Sequence, residues 1–382
     1  MTLRYLQLCC FGITLSLCLC QLTRGQKRAV FEEHHLDIDD VEQEVNGVDG
    51  IEGAQNEDEL YEKIHLKTNK LKNIESIQLN GHLIDCWYFS PYPEQYLQGT
   101  RLLYICEFCL KYMKLKETYL HHMASECLLR HPPGNEIYRF EGVSVFEMDG
   151  CVDKIYCQNL CLLAKLFFDH KTLYFDVSPF LFYVVCTYDD SGFHIAGYFS
   201  KEKNSPEGFN LACILTLPHR QKMGFGRFII SLSYELSKKA GSIGSPEKPL
   251  SDLGAISYKT YWIENILELI GSHFGEITIP RISELTSFAK EDIISVLKEV
   301  NMLNTYKGVS VIKYRPQSIR KYLEQFKQRQ ATRKNIFHPE QLHWTPKVID
   351  PKLHPWKFLS SFHPNRGNRV NRRWRCKCNV LM

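Results

Sequence analysis

Apolar and polar positions along this chain change period most sharply between Phe209 and Gly241, FNLACILTLPHRQKMGFGRFIISLSYELSKKAG. The first ten residues are almost continuously apolar around Cys213 and predict a buried strand. A glycine turn follows. From near Gly226 to near Lys239, apolar residues recur at helical spacing and predict an amphipathic helix. A strand, a glycine turn and a helix start in that order form an anion-binding device, because free backbone N–H groups at the helix start face the anion and glycines let it approach.

The pattern elsewhere predicts a mixed α/β sheet with local antiparallel pairing. Residues 77–96 alternate around AsnGly and ProTyrPro and predict short strands. IYRFEGVSVFEMDG reads as a hairpin arm, IYCQNLCLLAKLFFDH as a helix, and TLYFDVSPFLFYVVCTYD as two strands broken by SerPro. FHIAGYFSKEK continues the sheet, and residues 204–208 form a turn. GSIGSPEKPLSDLGAISY reads as a loop and YKTYWIENILELIGS as a helix. Residues 276–312 read as strand, helix, turn, helix and hairpin, the order of a winged helix-turn-helix. Its second helix begins LysGluAsp, which suits a packing module better than a base-reading one.

Composition adds compartment and partners. The 382 residues suffice for two or three packed domains, and 44% apolar with 24% charged residues makes most of the chain globular. The net charge is only +4, but residues 32–62 are acidic and 313–377 basic. The first region reads as a disordered leader. The second offers a weak phosphate-backbone contact or a nuclear-import patch. The fifteen cysteines are an odd number with one CxxC pair, which argues for a reducing compartment. Leu6 to Leu22 has the profile of a signal-peptide apolar region, against the rest of the chain.

Cys106 and Cys109 form the CxxC, and His122 and Cys127 follow after spacers of twelve and four residues. That arrangement offers four soft or borderline ligands for a structural Zn2+. His121 stands beside His122 and also fits the spacing.

From about Leu71 to Trp344, roughly three quarters of the chain, the sequence resembles the MYST family of histone lysine acetyltransferases, closest to the male-absent-on-the-first type. The resemblance is carried by DCWYFSPYPEQY, CEFCLKYMK, RHPPGNEIYR, KIYCQNLCLLAKLFFDHKTLYFDVSPF, GYFSKEK, ACILTLP, SYELSK and GSPEKPLSDLG. It implies a GNAT-like acetyltransferase core of mixed, largely antiparallel sheet with flanking helices. The expected layout is an apolar segment and acidic leader over 1–70, a catalytic domain over 71–344 and a basic tail over 345–382. Within that domain lie the zinc finger at 104–129, the acetyl-coenzyme A core at 136–270 and the helix-turn-helix-like part at 276–315.

The resemblance further implies that acetyl-coenzyme A binds the QxxGxG turn, here Gln221, Lys222, Met223, Gly224, Phe225 and Gly226, closed by Arg227. It adds Ile214, Leu215 and Thr216 along the acetyl and pantetheine portion, and Ser251 and Thr260 further along. Glu247 matches the general base, Cys213 the cysteine of an acetyl-enzyme intermediate, and Lys171 a self-acetylated lysine, where the residues alone allow a surface lysine at a helix end. From the residues alone Cys213 reads equally as a small buried strand residue.

The implied partners are histone tails, nucleosomes and subunits of a chromatin-modifying complex, with no membrane and a nuclear location. A catalytically weak paralogue serving as a scaffold is the alternative. Three departures stand out: a His-to-Cys spacer one residue longer than the usual three, HisArg before the turn, and Met223 in place of a common Arg.

Overall fold

The computed structural model describes residues 72–346, except 98, 169–170, 172–174, 274–276, 307–308 and 315. The apolar segment at Leu6 to Leu22, the acidic leader and the basic tail after 346 lie outside the described residues. No helix among the described residues is long and apolar enough to cross a membrane.

The first layer is a small sheet. Strands β1 (Ser76–Leu79) and β2 (His82–Asp85) form a hairpin whose turn, Asn80 and Gly81, has positive φ at both positions, as a two-residue hairpin turn requires. After a short helix α1 (Glu94–Leu97), β3 (Leu102–Ile105) pairs parallel to β1, and β4 (Tyr112–Met113) antiparallel to β3. The ProTyrPro stretch thus leads into a helical turn and not a strand, since proline suits a helix start but cannot donate to a ladder. Helix α2 (Lys116–His121) and a π-turn (His122–Glu126) complete this part.

The main sheet is built from β5 (Asn135–Phe140), β6 (Val143–Asp149), β7 (Phe180–Asp189), β8 (Gly192–Glu202) and β10 (Ile214–Thr216), with helix α3 (Lys154–Lys165) between β6 and β7 and the short strand β9 (Phe209–Leu211), outside that sheet, between β8 and β10. Its five hydrogen-bonded strands run in the order β10-β8-β7-β6-β5, all antiparallel. Parallel pairs occur beside it: β1 with β3, and β9 with β11 (Ser245–Pro246). Of the two strands expected around SerPro, the described residues show only β7.

Helix α4 (Phe225–Lys239) lies between two cores. Phe225, Phe228, Ile229, Leu232 and Leu236 recur at helical spacing and pack on the main sheet with Val145, Tyr183 and Phe199. Ile230 and Tyr234 face the other way, into a helical core built with α5 (Asp252–Ser272), α6 (Ile279–Thr286), α7 (Lys290–Glu299) and α8 (Pro316–Ala331). α5 begins well before the expected position because Ser251 caps it, its side chain accepting from the Gly254 N–H at 3.2 Å. α6 and α7 are followed by the hairpin of β12 (Leu303–Tyr306) and β13 (Val309–Ile312). The strand expected ahead of α6 is not found among the described residues, where Thr278 instead caps the helix.

One close approach fixes the sheet edge. A Cβ on Gly197 of β8 would fall 2.5 Å from the Leu215 carbonyl of β10. Replacing Gly197 with Ala is therefore expected to cost about 1–3 kcal/mol, read as a lower midpoint in thermal unfolding; an unchanged midpoint would show that β10 yields freely.

Candidate active site and metal centre

β10 is held to β8 by an irregular edge. Ala212 N–H donates to the Ser200 carbonyl at 2.8 Å, Ser200 N–H to the Cys213 carbonyl at 2.8 Å, and Cys213 N–H to the Ser200 hydroxyl at 3.2 Å. The backbone on both sides of Cys213 is therefore fixed by one residue of β8. Its thiol is half-buried and receives the Lys171 ammonium, Nζ to Sγ 3.6 Å. Lys171 is only 5% exposed, so it is not a solvated lysine at a helix end. Burial works against its charge, but the Tyr198 hydroxyl and the Cys213 and Cys161 sulfurs leave its pKa well above the ordinary lysine value.

Glu247 follows the β9–β11 pairing, its N–H donating to the Leu211 carbonyl at 2.8 Å. The residue opens to solvent at the end of that pair. Partial burial, then the carboxylates of Glu202 and Glu207, raise its pKa, and Lys171 opposes them. Lys171 thus stands within electrostatic reach of Glu247 and in contact with Cys213.

Beyond β10 the turn is tightly built. Gln221 Nε2 donates to the Thr216 carbonyl at 3.3 Å, and Lys222 and Gly224 have positive φ. Gly224 serves as the helix cap with no side chain satisfying the first N–H groups, which leaves them free for an anion. The two glycines differ in purpose. A Cβ on Gly224 would collide with the Lys334 carbonyl, whereas one on Gly226 would meet only the Thr216 hydroxyl, at 3.7 Å. Gly224 therefore accommodates the chain's own C-terminal segment, and Gly226 keeps the approach open.

The remaining cofactor candidates lie at the cap and within α5. Ser251 spends its hydroxyl on the α5 cap, and Thr260 donates its own to the Ile256 carbonyl at 2.9 Å. Sequence reasoning missed three groups: the Ser200 hydroxyl, which holds the Cys213 N–H, and, at the turn, Asn335, whose Nδ2 donates to the Met223 carbonyl at 2.8 Å, and buried Glu264, which pairs with Arg227 at 2.6 Å. Only Glu264 carried a signal, as a carboxylate within an otherwise apolar helical stripe.

The metal centre is compact. Cys106, Cys109, His122 and Cys127 bring their ligand atoms within 4.8 Å of one another. Cys106 and Cys127 sulfurs are 3.6 Å apart, and Cys109 Sγ is 3.3 Å from His122 Nε2. A tetrahedral zinc site places sulfurs about 3.8 Å apart, so the four residues fit Zn2+ held structurally, with no open position among its protein ligands. His122, 5% exposed, turns its other nitrogen to Glu126 at 3.2 Å, the outer partner that orients a ligand histidine. His121 is turned out, its side chain 68% exposed. The additional spacer residue is absorbed by the π-turn, in which Cys127 N–H donates to the His122 carbonyl at 2.8 Å.

A model of the MOZ/SAS family matches residues 131–342, and one of the MYST family zinc finger domain matches residues 71–127. Among curated relatives, "Histone acetyltransferase of the MYST family 2" of Arabidopsis thaliana is 48% identical over 304 residues, 80% of this chain and 64% of the relative. "Putative MYST-like histone acetyltransferase 1" of Oryza sativa subsp. japonica has the same identity and coverage. "Histone acetyltransferase MOF" of Drosophila melanogaster is 45% identical over 332 residues, 86% of this chain and 38% of the relative. The chain thus spans less than two thirds of the length of these relatives.

The ligand set has a direct check. Purified protein is expected to carry one zinc, lost in His122→Ala but kept in His121→Ala, with affinity in chelator competition lowered about 10–100-fold by Glu126→Ala. Zinc retained by His122→Ala would reassign the fourth ligand.

Proposed function

Because this chain belongs to the MYST family, with its MOZ/SAS domain and zinc finger, we infer that it transfers the acetyl group of acetyl-coenzyme A to the ε-amino group of lysines in histone tails. The observation that carries this reading is the convergence of Cys213, Lys171 and Glu247 at the start of β10, the strand whose other end leads into a turn that leaves helix N–H groups free.

In this reading the QxxGxG turn from Gln221 to Gly226, with Arg227, takes the pyrophosphate, and β10 (Ile214, Leu215, Thr216) lies along the pantetheine arm toward the acetyl group. Ser251 and Thr260 form the outer wall. An ε-ammonium is not a nucleophile, so a base must remove its proton. Glu247 takes that proton, and the amine attacks the thioester carbonyl. A backbone N–H near Ile214 stabilises the resulting oxyanion. The tetrahedral centre then collapses, its C–S bond breaks, and the departing coenzyme A sulfur takes up a proton. Glu202 and Glu207, which bear on Glu247 electrostatically, favour approach of a cationic substrate. In the alternative route the Cys213 thiolate is acetylated first and the lysine attacks that thioester.

Lys171 is read as a site of self-acetylation, its Nζ 3.6 Å from Cys213 Sγ. The proposed setting is the nucleus, in a chromatin-modifying complex, with residues 345–382 as a basic tail making weak DNA contact.

Labelled acetyl-coenzyme A with mixed core histones tests the assignment. Label transfer is expected for the wild-type chain, reduced about 10²–10⁴-fold by Glu247→Gln and less by Cys213→Ala. Transfer unchanged in Glu247→Gln would remove the mechanism, and an inactive wild type would favour a scaffold. The pH profile carries a second check. The base must be ionised, so activity is lost as pH falls through the raised Glu247 pKa, at higher pH than an ordinary glutamate sets. Glu202→Gln removes one charge that raises this pKa and should move the acid limb to lower pH; a limb that stays put would exclude Glu247 as the titrating base.

A further inference from the structure

Glu264 is the buried carboxylate that the mechanism above leaves unused. It lies on α5 at 2% exposure, yet three guanidinium groups from other elements converge on it. Arg227 Nη2 reaches Oε2 at 2.6 Å, Arg333 Nη2 reaches both oxygens at 2.6 and 2.7 Å, and Arg329 stands at 4.0 Å. One negative charge thus faces three positive ones. Arg227 belongs to the first turn of α4, directly after Gly226, and its guanidinium also covers the Tyr261 ring at 5.0 Å. Arg333 opens the segment whose next two residues close on the glycine turn, Lys334 against Gly224 and Asn335 on the Met223 carbonyl.

Two like charges this close repel, and a guanidinium does not escape by losing its proton. Without Glu264 both arginines would swing out to water. With it, two planar donor groups stand side by side at the rim of the turn, and each keeps part of its surface open: the Arg227 side chain is 30% and the Arg333 side chain 22% exposed. A paired set of planar donors matches the oxygens of phosphate better than a single flexible ammonium does.

We propose that Glu264 is a positioning residue that sets Arg227 and Arg333 as a twin clamp for the phosphate groups of coenzyme A, so that the segment after α8 completes the cofactor site. This rests on the acetyl-coenzyme A reading above. It ties residues far apart in the chain to one ligand: 227 at a helix start, 264 in the middle of α5 and 333 beyond α8.

The test compares acetyl-coenzyme A with acetyl-pantetheine, which keeps the thioester and lacks the pyrophosphate and nucleotide. It uses the full chain and a lysine-bearing histone peptide. Glu264→Gln and Arg333→Gln are each expected to raise KM for acetyl-coenzyme A about tenfold while leaving kcat, and KM for acetyl-pantetheine, within about twofold. Arg333→Lys should recover only part of the loss. Unchanged KM for acetyl-coenzyme A would overturn the proposal, as would a lower KM in Glu264→Gln, which would make the carboxylate a competitor of the phosphates. Equal losses on both donors would mean a structural role and overturn it too. If Glu264→Gln does not fold, Arg333→Gln, on a partly exposed residue, decides alone. A wild-type chain that saturates with neither donor would instead sink the cofactor reading itself.

Discussion

The pairing of β10 with β8 is the constraint on which the site depends. Ser200 contributes its N–H, carbonyl and hydroxyl to the two residues Ala212 and Cys213, and Gly197 lets β10 come close enough to pair. Because these are backbone contacts, the position of the Cys213 thiol is set by the sheet and not by its own rotamer alone. The same edge delivers the chain, through the three residues Pro218–Arg220, into the glycine turn that begins at Gln221, and the parallel β9–β11 pair brings Glu247 beside Leu211. A thiol, an ammonium and a carboxylate thus come together from the residue that leads into β10, the segment after α3, and the loop after β11.

α4 transmits that placement. It is buried on two sides, by the sheet and by the helical core, so its N-terminal turn cannot shift without disturbing both. The segment after α8 then closes over the turn through Asn335 and the Lys334 backbone. Further along, Leu342 bridges to Tyr138, His343 N–H donates to the Ile137 carbonyl, and the Trp344 indole donates to Glu147 at 2.6 Å, sealing the far edge of the main sheet. The fold is therefore stitched together by residues late in the chain.

Local signals in the sequence were strong where chemistry and geometry are both local. The turn and helix up to Lys239 and the spacing of Cys106, Cys109 and Cys127 appear as expected, because hydrophobic period and ligand spacing report nearby structure. The single buried strand expected around Cys213 is instead two short strands, β9 and β10, that pair in different sheets and leave Cys213 half-buried at the break between them. The choice between His121 and His122 was not legible, since an α-turn and a π-turn aim neighbouring residues differently. Nor was the purpose of Gly224: its requirement comes from Lys334, over a hundred residues away. Glu264 was passed over for the same reason, its partners lying at 227 and 333. Ser251 likewise carries a role the pattern did not signal, since its hydroxyl caps α5 and so starts that helix earlier than the apolar period indicates. Long-range polar pairing is what periodicity cannot encode.

The most direct measurement of the central claim is amide hydrogen exchange of the full chain with and without acetyl-coenzyme A. If the edge strand and glycine turn form the cofactor cradle, saturating ligand should slow exchange across residues 214–227 and at 333–335, while the metal centre at 106–127 stays unchanged. Slowed exchange elsewhere with 214–227 unaffected would contradict it.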